Sequence, residues 1–264
     1  SSSTAQPGLV GVVTPSVLRQ SRRPPTTGVT MPGCAALITG ASSGIGAAVA
    51  LALADRGARI TLVGRRSEQL HGVAAEVERR GGQAHVLVSD LAAPRAAEQA
   101  VDQAAARWGE LNVLVNNAGV GHWDTAATSP DGAWDEELHV NLLAPMLATR
   151  AAVPIMCAQA SGDIINVSSL AARFPGPGAA GYVSSKAGLT SFSESMHAEL
   201  RADGVRVTVV ETAEVATEMQ TAEDQASMPM LSPEEVADAV TWVLDLPRSV
   251  VVRTLQLVAG PATT

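Results

Sequence analysis

The chain has 264 residues, 46% of them hydrophobic and 17% charged, with a formal net charge of −8. That length suits one α/β domain with a sizeable core, and the acidic balance argues against a nucleic-acid partner. No apolar run reaches 18 residues, which argues against a membrane span.

Residues 1–32 form a Ser/Pro/Thr-rich stretch with Arg19, Arg22 and Arg23 and no acid. This composition predicts a flexible N-terminal tail, and residues 33–264 a single domain. Met31 stands before the first predicted strand and could serve as a start, which would make the tail upstream sequence. A transit peptide is the minority alternative.

Ala35–Thr39 reads as a short apolar strand. It runs into Gly40-Ala41-Ser42-Ser43-Gly44-Ile45-Gly46, and an Ala/Val/Leu-rich helix is predicted over 44–56. Strand, glycine turn and helix in this order cradle a pyrophosphate on a helix N-terminus. Gly40 permits the tight turn, Gly44 admits the phosphates, and Gly46 lets the helix close on the strand. A second strand (59–63) leads into Gly64-Arg65-Arg66 and a helix (67–81). A third strand (84–88) precedes Asp90 and Leu91, and a helix follows (95–107). The fourth strand (112–116) ends in Asn116-Asn117-Ala118-Gly119, and a long helix is expected over 133–159.

The fifth strand (162–167) ends at Ser168-Ser169, and a helix over 181–202 begins with Tyr182-Val183-Ser184-Ser185-Lys186. Tyr182 is the only tyrosine in the chain. Lys186 lies four residues on, on the same helix face. A phenol of pKa about 10 exchanges protons poorly at neutral pH. An adjacent ammonium would stabilise the phenolate and bring that value down. A strand (205–210), a helix (233–245) and a last strand (253–258) complete the chain. Alternation of β and α over this length predicts a parallel doubly wound sheet of about seven strands flanked by helices. Cys34 and Cys157 form no metal or redox motif and read as reduced, buried thiols of a cytoplasmic protein. The five histidines show no ligand spacing, and no metal site is expected.

Thr39-Gly40-x-x-x-Gly44-x-Gly46, Asn116-Asn117-Ala118-Gly119, Ser169 and Tyr182-x-x-x-Lys186 together resemble the short-chain dehydrogenase/reductase family, from about residue 34 to the C-terminus. The resemblance implies a Rossmann-like fold and hydride transfer between a nicotinamide cofactor and a carbonyl or alcohol. Tyr182 would be the acid/base. Lys186 would tune it and hold the nicotinamide ribose, and Ser169 would bind the substrate oxygen. Asn141 would support a water-linked proton relay. Ser42, Ser43, Ile45, Asp90, Leu91, Asn117, Ala118, Gly119, Val215 and Thr217 match cofactor contacts. Family members commonly form homodimers or homotetramers.

Where an NAD enzyme usually carries an acid after the second strand, this chain has Arg65 and Arg66. A guanidinium grips a 2′-phosphate in a bidentate manner, whereas a carboxylate repels it. NADP(H) is therefore the preferred expectation, with NAD(H) possible. One departure is Thr212-Ala213, where the family usually has Pro-Gly, which leaves the turn beside the nicotinamide open. Substrate contacts are expected from His122 and Trp123, from Phe174 to Ala180, and from Glu218 to Leu231 with Met219, Met228 and Met230. Methionines adapt to irregular apolar shapes, so a small, largely apolar carbonyl or alcohol is the expected substrate. Two alternatives stand: a ketoreductase for carrier-linked acyl substrates, and a cofactor-sensing regulator without turnover.

Overall fold

The computed structural model describes residues 31–220 and 229–260. Residues 1–30 of the tail predicted over 1–32, and Met228 with them, lie outside the described residues. Among the described residues, seven strands alternate with six main helices: β1 Ala35–Thr39, α1 Gly44–Ala54, β2 Arg59–Gly64, α2 Ser67–Arg79, β3 Gln83–Val88, α3 Ala96–Trp108 and β4 Val113–Asn116. Then follow α4 Ala133–Ala158, β5 Gly162–Ser169, α5 Ala180–Leu200, β6 Val205–Thr212, α6 Pro233–Asp245 and β7 Thr254–Leu257.

The strands form one all-parallel sheet in the order β3-β2-β1-β4-β5-β6-β7. Successive residues of a strand face opposite sides of the sheet, and here both sides are apolar. Ile38, Val115 and Ile165 face one core with Leu53, Leu62, Val236 and Val240. Their neighbours Leu37, Leu114 and Ile164 face the other, with Val101, Ala148 and Met156. Helices on both faces are the reason the strands read as continuous apolar runs. The chain reverses its direction of travel across the sheet between β1 and β4. A crevice opens there, outside the carboxyl ends of the strands.

The helices end where local chemistry stops them. Ser232 and Glu235 form a reciprocal capping box at the start of α6, with Pro233 in its first turn. Helix α4 is long and apolar, but one side of it is packed against the sheet and α3. It is not uniform. A wider π-type turn interrupts it over His139–Leu143, where a continuous helix was expected. Pro145 lacks an N–H, so the Asn141 carbonyl has no α-helical donor four residues on. Cys34 and Cys157 are free but only half-buried, which corrects the expectation of buried thiols.

The turn after β6 accounts for the missing Pro-Gly pair. Thr212 is still in the sheet, paired with Ser169 and Leu257. The N–H of Ala213 donates to the Leu257 carbonyl at 2.8 Å. Ala213 is not among the residues with positive φ, so the path requires no glycine. Val215 then pairs with Leu231 in a short parallel bridge that carries the chain past the crevice.

Candidate active site

One cleft of about 1140 Å³ runs along the carboxyl edge of the sheet. Its lining joins the glycine turn and Arg65-Arg66 at one end to Ser169, Tyr182 and Lys186 at the other.

The first end is built for an anion. Gly40 and Gly44 take positive φ values of 66° and 54°. A Cβ on Gly46 would collide with the Gly40 carbonyl and lie 2.6 Å from the Asn117 side chain; only glycine lets α1 sit this close to β1. Ser43 precedes α1 with no side-chain hydrogen bond to the helix, so the first N–H groups face the cleft with the positive end of the helix dipole behind them. Arg66 reaches back across the turn: Nη2 donates to Ser42 Oγ at 2.9 Å and Ser43 Oγ at 2.6 Å. Arg65 is exposed beside it and lies 3.9 Å from Glu136. Asp90 is exposed on the cleft, where its side chain accepts from the Ala92 N–H, and Leu91 is buried behind it.

The middle of the cleft is a polar frame. Thr39 Oγ1 accepts from the N–H groups of Asn117 and Ala118, both at 3.0 Å. Asn117 Nδ2 returns to the Thr39 and Gly40 carbonyls at 3.0 and 3.2 Å. These bonds lock the residues just after β4 onto the glycine turn. Asn116 donates to Asn166, and Asn166 to Ser193, which ties β4, β5 and α5 together. Asn141 is fully buried. Its side chain brackets Val120, accepting from the N–H and donating to the carbonyl, both at 2.8 Å, and donates to Ser185 Oγ at 3.0 Å. Ser185 in turn donates to the Tyr182 carbonyl at 2.7 Å.

At the second end, Ser169 closes β5 and accepts from the Ala171 N–H at 3.1 Å. Lys186 is 5% exposed. Its Nζ donates to the Val167 carbonyl at 2.9 Å and lies 5.8 Å from the centre of the Tyr182 ring. Burial pulls the Lys186 ammonium down from 10.5 to about 8. The Tyr182 phenol is shifted up, first by loss of solvent; its hydrogen bond with Ser169 opposes the shift, while Glu137 and Glu214 add to it. The lysine was expected to lower the tyrosine. Here solvent exclusion raises it instead, and the ammonium is spent on a backbone carbonyl. A high phenol pKa keeps the proton on the tyrosine, which is the state a proton donor needs.

The expected substrate residues His122, Trp123, Phe174 and Met219 all line the cleft. Trp123 tilts against Tyr182, with ring centres 5.2 Å apart. Phe174 is 73% exposed at the rim. Val215 and Thr217 line the cleft too, whereas Met230 does not.

Three acids make contacts that were not foreseen, although Glu218 opens the segment expected to meet substrate. Glu211 is fully buried and accepts from Arg173 at 2.6 Å and Gln256 at 2.8 Å, so it clamps the turn after Ser169. Glu137 is 1% exposed; one oxygen accepts from the His122 N–H at 2.7 Å and the other has no hydrogen-bond partner. A side chain on Gly181 would collide with that second oxygen. Glu218 accepts from both Ser43 and Arg66.

Fold and cleft are those of a dinucleotide-binding oxidoreductase. The family model described as short chain dehydrogenase matches residues 34–227, and the chain belongs to the short-chain dehydrogenase/reductase family, whose members act on alcohol and carbonyl groups. A short chain dehydrogenase of Pseudocercospora fijiensis is 37% identical over 194 residues, 73% of this chain and 63% of that one; the chain thus spans less than two thirds of this relative. A 3-oxoacyl-[acyl-carrier-protein] reductase of Synechocystis is 33% identical, over 79% of this chain and 87% of the relative. A metagenomic short-chain oxidoreductase solved in complex with NADP superposes with a TM-score of 0.78 at 35% identity, covering 88% of this chain and 99% of that one.

Proposed function

We propose that the protein is an NADP(H)-dependent oxidoreductase that reduces a carbonyl, or oxidises the matching alcohol, of a small and largely apolar substrate. The observation that carries this reading is the continuity of the cleft: an arginine-and-serine end and a Ser169–Tyr182–Lys186 end share one cavity. The metagenomic neighbour solved with NADP supports the same cofactor.

The residues present suit a dinucleotide phosphate. Arg65, Arg66 and Ser42 would hold the 2′-phosphate, the N-terminus of α1 the pyrophosphate, and Lys186, Asn117 and Thr217 the nicotinamide half. The nicotinamide, when bound, supplies or accepts the hydride. The Ser169 hydroxyl donates to the substrate oxygen and fixes its position. The Tyr182 phenol gives that oxygen its proton in reduction and removes it in oxidation. Asn141 holds the Val120 loop, and its own carbonyl, left without an α-helical donor by Pro145, is an acceptor for a proton-relay water. Trp123, tilted against Tyr182, and Phe174 at the rim present apolar surface to the substrate body.

The Synechocystis relative favours a second reading, reduction of a carrier-linked 3-oxoacyl group. A panel of free and carrier-linked carbonyls, followed by NADPH oxidation, separates the two. Turnover of the carrier-linked form alone would replace the first reading, and no turnover of any carbonyl or alcohol would favour a non-catalytic regulator. Removing charge-assisted bonds with Arg65→Ala plus Arg66→Ala should weaken NADPH by about tenfold or more while sparing NADH; an equal loss for both cofactors refutes the 2′-phosphate assignment. We further propose a cytoplasmic homodimer or homotetramer, with α4 and α5 at the subunit contact; Leu138 and Leu143 are exposed on α4.

A further inference from the structure

We propose that Glu218 is a specificity-determining residue, an internal anion that competes with the cofactor's phosphate for Arg66 and Ser43. The proposal rests on the NADP(H) reading above. One carboxylate oxygen, Oε2 of Glu218, accepts from Arg66 Nη1 at 2.6 Å and from Ser43 Oγ at 3.2 Å. Arg66 at the same time donates to Ser42 through Nε at 3.2 Å and Nη2 at 2.9 Å, and to Ser43 through Nη2 at 2.6 Å. A negative oxygen therefore sits where the glycine turn, the start of α1 and the end of β2 meet, on the donors a phosphate would use. The Arg66 hydrogen bonds hold the Glu218 carboxyl below the usual glutamate range, so it is charged at neutral pH.

Arg66 cannot present the same N–H to a carboxylate and a phosphate. Bringing a 2′-phosphate to it places two anions on one guanidinium, and the weaker-bound one must leave. Glu218 is the one able to leave, because its side chain is 66% exposed and can turn into water. It is a competitor rather than a block. The group it opposes at Arg66 is carried by NADP(H) and not by NAD(H), so its presence narrows the difference between the two cofactors. Its neighbours give the exchange a second effect. Thr217 packs against Gly44, 3.0 Å from where a Cβ would stand, and Met219 lines the same cleft. The tie that a phosphate would break is therefore one that fastens the Thr217–Met219 wall of the cleft to the glycine turn.

The test is equilibrium titration of NADPH and NADH, without substrate, into the full-length protein and its Glu218→Gln, Arg66→Ala and double variants, at low and high salt. Exposed ion pairs are weak, so Glu218→Gln should tighten NADPH by about three- to tenfold at low salt and NADH by about twofold or less. The gain should shrink as salt screens the charges and vanish in the Arg66→Ala background. Glu218→Gln leaving NADPH affinity unchanged, or tightening both cofactors alike, overturns the inference while Arg66→Ala still weakens NADPH selectively. If Arg66→Ala does not change the NADPH-to-NADH ratio, the 2′-phosphate reading itself fails, and this inference falls with it.

Discussion

Lys186→Met should make the protein more stable and inactive. Burial shifts the ammonium from 10.5 in the unfolded chain to about 8 in the folded one. At about 1.4 kcal/mol per pKa unit, holding that charge in the fold costs about 3 kcal/mol below pH 8. Its bond to the Val167 carbonyl offsets about 1 kcal/mol of what methionine would recover. Methionine fills the same volume without a charge, so the variant should gain about 2 kcal/mol at pH 7. The sign of the pH dependence follows from the lowered value. Between pH 8 and 10.5 the unfolded chain holds a proton that the folded chain has released, so wild-type stability rises relative to the variant over that window. Urea unfolding of both proteins from pH 6.5 to 10.5, monitored by tryptophan fluorescence, measures the gap directly. A variant that is less stable by the same amount at every pH would refute the reasoning and make Lys186 a structural residue.

Tyr182→Phe removes the chain's only phenol and should abolish turnover while NADPH still binds in a fluorescence titration; near-normal kcat would assign the proton to another group. Gly181→Ala drives a methyl into Glu137 and to 2.7 Å from Trp134, so it should cost about 2 kcal/mol in thermal unfolding. Adding Glu137→Ala to it should recover part of that loss, since contacting sites are non-additive; simple additivity would show that the two do not meet. A protein starting at Met31 should keep its kcat/KM and melting temperature. Met31 itself joins the fold, its N–H donating to the Arg56 carbonyl at 2.8 Å. A melting point several degrees lower would make the preceding residues part of the domain.

The elements were readable because their apolar residues follow simple periods. The predicted helix over 233–245 coincides with α6, whose capping box is written in Ser232-Pro233-Glu234-Glu235. Strands β5 and β6 each run two residues beyond expectation, because Ser168, Ser169, Glu211 and Thr212 pair in the sheet despite being polar. The motif residues were readable because glycine turns, the asparagine pair and the tyrosine–lysine spacing are local patterns. The partners of the three acids were not. Glu218 meets Arg66 across 152 positions of sequence, and Glu211 meets Arg173 across 38; a charged residue read alone passes for a solvated one. Glu137 did leave a trace. Ala133, Glu137, Val140 and Ala144 follow helical spacing and are all buried, so the period of α4 already places a carboxylate on the face turned to the core.

The solitude of Tyr182 makes this cleft its own spectrometer. In most proteins the ultraviolet signature of an ionising phenol is averaged over many tyrosines, and the reactive one is lost among them. Here every photon absorbed by tyrosinate reports on one hydroxyl, the one hydrogen-bonded to Ser169. Trp123, 5.2 Å away, is close enough to accept its excitation, so emission from that indole follows the same proton. Alkaline difference spectra of the unmodified protein therefore read out the proposed acid/base group directly, with no label and no substitution. Ligands that dock against Trp123 announce themselves in the same spectrum.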